Sequence, residues 1–357
     1  MRSGLVQIRN NNGGLERSPQ ALPNAPRESK RTKVLVPYDG SENAEVALAD
    51  LRIAGLPQDL EAFIAVTDVW LPASPYEITR AVSARRMMLL NSGVSSFVPA
   101  LRNHEEQRVL LAQARHHLHS IFPFATVRLE ALSDTAVVTS AMLSKAEQWG
   151  ANLITVGSKR SPSPDISDFA GAALRVAAKS HCSVRFARPS SRIPGSPVRI
   201  IIGIDGSKGL PQAVQSIAQR VWPEASQVRV VLVHQRSPQI AIATPGGSIE
   251  SAAGNNGNRG LDATCVKEVT TQLRAAGLIV STVVKSGVPQ DLLMQEARDW
   301  EADCVYVDAQ GFNTSVSSRF NVSGVSTFAQ AVALGAHCSV EVVRAETDSQ
   351  EFLMPAA

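Results

Sequence analysis

The sequence lacks most of the residues that would announce a chemistry. It holds only four cysteines, Cys182, Cys265, Cys304 and Cys338, with no Cys-x-x-Cys pair and no zinc-like spacing. A disulfide framework and a thiolate metal site therefore have nothing to build on, and the four read as small core residues. No run approaches the ~18 apolar residues that cross a bilayer. Residues 1–20 contain no apolar stretch set between a basic end and a small-residue cleavage site. A cytoplasmic protein with no membrane partner is the expectation. The net charge is only +3, and much of the basic excess lies near the start, in Arg27, Lys30, Arg31 and Lys33. A basic tail is not a basic face, so no nucleic-acid partner is expected either.

What is present is an ordinary globular composition, 44% hydrophobic and 19% charged over 357 residues, a length that suits about two domains. An internal repeat fixes the organisation. Lys33-Val-Leu-Val-Pro-Tyr-Asp-Gly-Ser41 matches Arg199-Ile-Ile-Ile-Gly-Ile-Asp-Gly-Ser207. Trp149-Gly-Ala-Asn-Leu-Ile-Thr-Val156 matches Trp300-Glu-Ala-Asp-Cys-Val-Tyr-Val307, and His181-Cys-Ser-Val184 matches His337-Cys-Ser-Val340. Three blocks in the same order indicate a duplication.

Each copy alternates strands with helices. Val34 to Val36 is a continuous apolar run, the pattern of a parallel strand buried on both faces. Further strands are expected at 62–66, 126–132, 153–156 and 183–187, and in the second copy at 229–233, 279–284, 304–307 and 340–343. Helices are expected at 42–54, 102–121, 136–149, near 171–179 and at 290–300, the last with Pro289 in its first turn. Leu210, Val214, Ile217, Ala218 and Val221 fall on one helical face. This alternation gives a doubly wound parallel sheet through right-handed crossovers. Arg188 to Pro197, with three prolines and a glycine, cannot hold a regular element and marks the boundary. The expected division is a tail (1–31), a first domain (32–189), a linker (190–197), a second domain (198–344) and a second tail (345–357).

These blocks resemble the universal stress protein family: a first strand running into Asp-Gly-Ser, Trp-x-Ala-Asn/Asp before the fourth strand, and Cys-Ser-Val leading into the fifth. The resemblance covers both copies. It implies an α/β fold of two open, doubly wound parallel sheets in tandem, of the adenine-nucleotide-α-hydrolase-like, Rossmann-like kind. It also implies ATP as the ligand to consider, although the residues fix no cofactor. In the binding members, an acidic residue after strand one holds the adenine end and a valine of strand two packs on the base. A Gly-x-x-Gly loop followed by Gly-Ser or Gly-Thr then wraps the phosphates, because glycines let backbone N–H groups approach them.

The first copy keeps Pro37, Asp39 and Val66 on the base side and Gly157 at the first glycine. Its second glycine is replaced by Arg160, Ser161-Pro-Ser-Pro164 brings two prolines without N–H groups, and the later Gly-Ser place reads Ala170-Gly171. The second copy keeps Asp205, Val233 and Gly311, and offers Gly324, Ser326 and Thr327 at the later place, but has Asp308 at the first glycine. A carboxylate there repels a polyphosphate. The expectation is a stress-type regulatory or interaction protein with degraded nucleotide sites. Its alternative is an ATP-binding stress protein with slow hydrolysis or phosphotransfer at the Asp205 and Gly311 site.

No constellation supports catalysis. Gly203-Ile-Asp-Gly206-Ser-Lys-Gly209 fits neither a dinucleotide fingerprint nor a P-loop. His116, His117 and His119 share a helix without a convergent further ligand, so no metal is assigned. His181 and His337 each precede a cysteine, but neighbours on a strand point to opposite faces. The final strands of the two copies, edges if left alone, are expected to lie side by side and antiparallel, making an intramolecular pseudo-dimer. A homo-oligomer or a protein partner is left open.

Overall fold

The apolar runs that open each copy have no polar face to offer water, and both become inner strands of a sheet. The computed structural model describes residues 31–67, 104–132, 138–158, 168–204, 212–234, 263–310 and 324–344. In chain order the first half contains β1 (Lys33–Tyr38), α1 (Glu42–Asp50), a 3-10 turn (Leu51–Ile53), β2 (Glu61–Thr67) and α2 (His104–Ile121). It continues with β3 (Thr126–Leu132), α3 (Val138–Trp149), β4 (Leu153–Gly157), α4 (Asp168–Lys179) and β5 (Ser183–Ala187). The second half runs β6 (Arg199–Ile204), α5 (Gln212–Ala218), β7 (Gln227–His234), α6 (Ala263–Ala275) and β8 (Ile279–Ser286). It ends with α7 (Pro289–Asp299), β9 (Cys304–Asp308), α8 (Thr327–Gly335) and β10 (Ser339–Val343).

All the described strands join in one ten-stranded sheet of order β3-β2-β1-β4-β5-β10-β9-β6-β7-β8. Every pairing is parallel except β5 with β10, which meet antiparallel at the middle. The two final strands are thus each other's neighbour, and neither is an edge. In each half the order reverses beside the first strand, between β1 and β4 and between β6 and β9. At such a switch point an α/β sheet opens a crevice at its carboxyl ends.

Helices cover both faces. Residues of α1 and α2 pack around Val34 and Val36 in the first half, and those of α5 and α6 around Ile200 and Ile202 in the second. The opposite face has a single apolar cluster that crosses the middle of the sheet, from Ile154 and Val184 to Val340 and Phe328. Each such side chain contributes ~1.5–3 kcal/mol when buried, so this face holds the halves together as well as holding each to its helices. Among the described residues no helix is long and apolar enough to cross a membrane.

The repeated Trp-x-Ala-Asn/Asp block has a local cause. Asn152 Oδ1 accepts the Lys33 N–H at 2.8 Å and Asp303 Oδ2 accepts the Arg199 N–H at 2.7 Å, fastening the start of strand one to the turn before strand four. The Lys33 ammonium and the Arg199 guanidinium then donate to the Trp149 and Trp300 carbonyls. The residue after each Trp takes the left-handed conformation that closes a helix, Gly150 at φ +69° and Glu301 at φ +50°. Glycine does this without the Cβ penalty that Glu301 meets.

Two expectations change. The helical face expected from Leu210 to Val221 is shorter, because α5 spans only Gln212–Ala218. Leu210 lies outside the described residues, and Val221 is 64% exposed where the chain turns so that the Val221 N–H meets the Gly55 carbonyl at 2.9 Å. Arg188, expected to open the linker, is buried. The segment after it is pinned on both sides: Arg52 donates to the Ser190 carbonyl at 2.6 Å, and Arg192 pairs with Asp303 at 2.6 Å.

Candidate functional site

The carboxyl ends of β2, β1 and β4 bring together the residues singled out in the first half. Asp39 Oδ1 accepts the Ser41 N–H at 2.9 Å, and Ser41 Oγ accepts the Ala44 N–H at 3.3 Å, so the Asp-Gly-Ser turn shapes itself and caps α1. Glu42 and Glu45 in the first turn suit the helix dipole. Pro37 is buried at the end of β1, and Val66 stands beside it on β2, opposite Tyr38 in the register. Gly157 ends β4. A Cβ added to Gly157 would lie 1.8 Å from the Asn43 carbonyl oxygen, so glycine there lets the first turn of α1 rest directly on the sheet. Arg160 and Ser161 to Pro164 lie outside the described residues.

The second half is arranged differently. Asp205 and Gly311 lie outside the described residues. β9 ends in Asp308, whose carboxylate accepts the Ala213 N–H at 2.7 Å in the first turn of α5. The residue that takes Val66's place is Leu232, opposite Ile204, and Val233 packs on the other face of the sheet. Ser326 caps α8 by accepting the Ala329 N–H at 3.2 Å, its own N–H meets the Ala309 carbonyl at 2.7 Å, and Thr327 opens the helix. Gly324 faces the first half. At φ +102°, its added Cβ would lie 2.4 Å from the Ala178 carbonyl oxygen. The Gly324 carbonyl accepts from the Arg344 guanidinium at 2.6 Å. The glycine and serine expected to serve a phosphate are engaged in contacts within the chain.

Between these two strand-end regions lies a buried ionic cluster that no motif marks. Arg185 on β5 and Glu341 on β10 face each other in the register, and both are fully buried. Arg185 Nε meets Asp50 at 2.5 Å and its Nη1 meets Glu341 at 3.3 Å. Arg220 forms an ion pair with Glu341 and donates to the Tyr306 hydroxyl and the Ala54 carbonyl, each at 2.7 Å. The Ser339 hydroxyl donates to Asp50 at 2.7 Å. Burial alone would lower the pKa of Arg185, but the Asp50 and Glu341 carboxylates hold it well above its ordinary value. Two guanidinium and two carboxylate groups balance, as their burial requires. The sequence signal is faint, a single charge at the centre of each mostly apolar strand.

Two further arginines close the seam outside this cluster. Arg188 donates to the Ala333, Leu334 and Ala336 carbonyls at the end of α8, and Arg344 to those of Ala177 and Ala178 at the end of α4. Each half therefore supplies the cation that completes the other half's last helix.

The reactive groups are quiet. Burial pushes the Cys182 thiol up to about 11 and the Cys338 thiol up to about 12, and it also raises Cys304, so none is an activated nucleophile. His117 is held by Glu45 at 2.6 Å, and Glu45 also accepts from the buried Tyr38 hydroxyl. Burial first, then that carboxylate, raises the Tyr38 pKa. His116 and His119 line a surface cavity of about 520 Å³ with Arg108 and Arg115, away from the ends of β1 and β4. Among the described residues no group of three or more His, Cys, Asp or Glu could hold a metal ion.

The Universal stress protein family model matches residues 198–344. Among solved structures, the chain is similar to a universal stress protein from Archaeoglobus fulgidus DSM 4304 at 14% identity, with a TM-score of 0.52. That similarity covers 87% of this chain and 96% of the other, and it is a likeness of fold. A protein of the universal stress protein family from Burkholderia pseudomallei is 21% identical and covers 46% of this chain and 100% of its own length, with a TM-score of 0.27. No curated protein matches the sequence.

Proposed function

Residues 198–344 belong to the universal stress protein family, and from that premise we propose that this chain is a stress-type regulatory or interaction protein whose nucleotide sites are degraded. It comprises two domains of that type, 32–189 and 198–344, closed on each other as an intramolecular pseudo-dimer. The antiparallel meeting of β5 and β10 supports the pairing. All four cysteines are buried and none is in a disulfide, which suits a reducing cytoplasm.

One observation carries the reading of the sites. The Asp308 carboxylate stands where a phosphate-wrapping loop needs its first glycine, 2.7 Å from the Ala213 N–H. The protein's own anion thereby takes a donor at the end of β9, and a polyphosphate brought there meets like charge. In the first half Gly157 is explained by the approach of α1, without a phosphate. Among the described residues no nucleophile, base or acid converges at either strand end, and the reading is of binding or signalling and not of turnover.

Thermal unfolding with millimolar ATP and Mg²⁺ tests this, because a ligand of the native state raises its melting temperature. The wild-type protein is expected to show no shift, and Asp308→Gly is expected to gain one. A rise in the wild type, with phosphate released over time, would establish the alternative of an ATP-binding protein with slow hydrolysis or phosphotransfer.

A further inference from the structure

Two halves of one repeat should pair with themselves as readily as with each other, and most of the seam is built that way. Ser183 and Ser339 hold equivalent places, and each hydroxyl accepts the backbone N–H of the other half's arginine, Arg344 at 3.2 Å and Arg188 at 2.9 Å. Arg188 and Arg344 are equivalent too, each closing the opposite half's last helix. A β5 strand meeting the β5 of a second copy could repeat all of these contacts.

The centre breaks the symmetry. Arg185 and Glu341 occupy the same place in the repeat, and the register sets one directly against the other with no exposure to water. In that register, two β5 strands would set Arg185 against Arg185, and two β10 strands would set Glu341 against Glu341. Like charges directly opposed across a strand pair are destabilising, and burial removes the water that would screen them. Each half brings its own counter-charge, Asp50 to Arg185 and Arg220 to Glu341, so the penalty lies in the direct opposition at the centre. The flanking groups are matched across the seam as well. Arg220 donates to the Ala54 carbonyl, and position 54 is the first half's equivalent of position 220, so a pair of first halves has no such arginine.

We propose that this charged centre is a recognition element: the β5 edge accepts a β10-type strand and rejects the β5 of a second copy. The chain therefore closes half upon half and does not use this edge to pair with its like. The inference rests on the pseudo-dimer reading and is independent of whether nucleotide binds, which the ATP titration reads separately.

The test removes all four charges, so that none is stranded, in the full-length variant Asp50→Leu, Arg185→Met, Arg220→Met, Glu341→Met. Replacing a buried ionic cluster by apolar groups of similar size often leaves a fold intact. Wild-type and variant proteins are unfolded, refolded over a range of concentrations and sized by light scattering. The wild type should return as monomer throughout. The variant, unable to tell β5 from β10, should give a dimer fraction about tenfold larger that rises with concentration. A variant that refolds to monomer like the wild type overturns the proposal. If the variant does not refold, Arg185→Glu and Glu341→Arg chains are refolded together. A mixed dimer of twice the monomer mass, formed by neither chain alone, supports the proposal, and its absence overturns it.

Discussion

In the first half, the opening turn of α1 lies against β4 with only the hydrogen of Gly157 between them. In the second half, the equivalent strand end carries the Asp308 carboxylate, which accepts the Ala213 N–H in the first turn of α5. The same strand end thus meets its covering helix in two ways, one by backbone contact and one through a side chain. Glycine at this position is therefore not by itself a sign of a ligand, since close packing demands it equally well. A carboxylate there, by contrast, satisfies an N–H in the first turn of α5.

Exchanging the two solutions is the most direct way to break the comparison. Gly157→Asp drives a side chain into the Asn43 carbonyl and should cost about 3 kcal/mol, seen as a lower melting temperature. Asp308→Gly removes the charged acceptor of the Ala213 N–H and should cost about 1–2 kcal/mol by denaturant unfolding. Equal losses would mean that α1 can lift from β4 to admit a side chain at 157.

A second contrast lies on α3 and α7. Lys145 of the first half holds the place that Glu296 holds in the second, counted from the repeated tryptophan. Lys145 makes a half-exposed pair with Glu130, whereas Glu296 is buried between Lys285 and Arg229, with Arg229 at 2.7 Å. Burial raises the Glu296 pKa, but its two cations outweigh that and leave it below the usual carboxylate value. A depressed folded-state pKa contributes stability that is present above the unfolded value and lost as pH falls through the folded one. Unfolding measured from pH 7 down to acid should show this loss, on the order of 1 kcal/mol, and Glu296→Gln should flatten it. The smallest effect is expected at the helix-ending pair Gly150 and Glu301. Glu301→Gly should stabilise by about 0.5–1 kcal/mol in the same assay.

The sequence made the order of elements plain, because continuous apolar runs, helical spacing and the Asp-Gly-Ser and Trp-x-Ala blocks are local signals. The strand 126–132 and the strand 183–187 lie where their patterns place them. Position in three dimensions was less legible. Val233 and Leu232 are both apolar, and only the pairing with β6 shows which of them corresponds to Val66. Arg185 and Asp50 are 135 residues apart, and Arg185 and Glu341 are 156 apart. No local pattern ties charges at such distances. Asp308 was visible as a misfit in a phosphate loop, but its bond to Ala213 depends on where α5 docks.

Arg188 and Arg344 tether the end of each final helix to the other half. The last turn of α4 keeps its carbonyls satisfied only while β10 is in place, and the last turn of α8 only while β5 is. Neither half can therefore loosen without releasing part of its neighbour, which makes the sheet a single cooperative unit. Such a molecule should melt in one transition and should survive a cut between 190 and 197 as an undissociated pair of fragments.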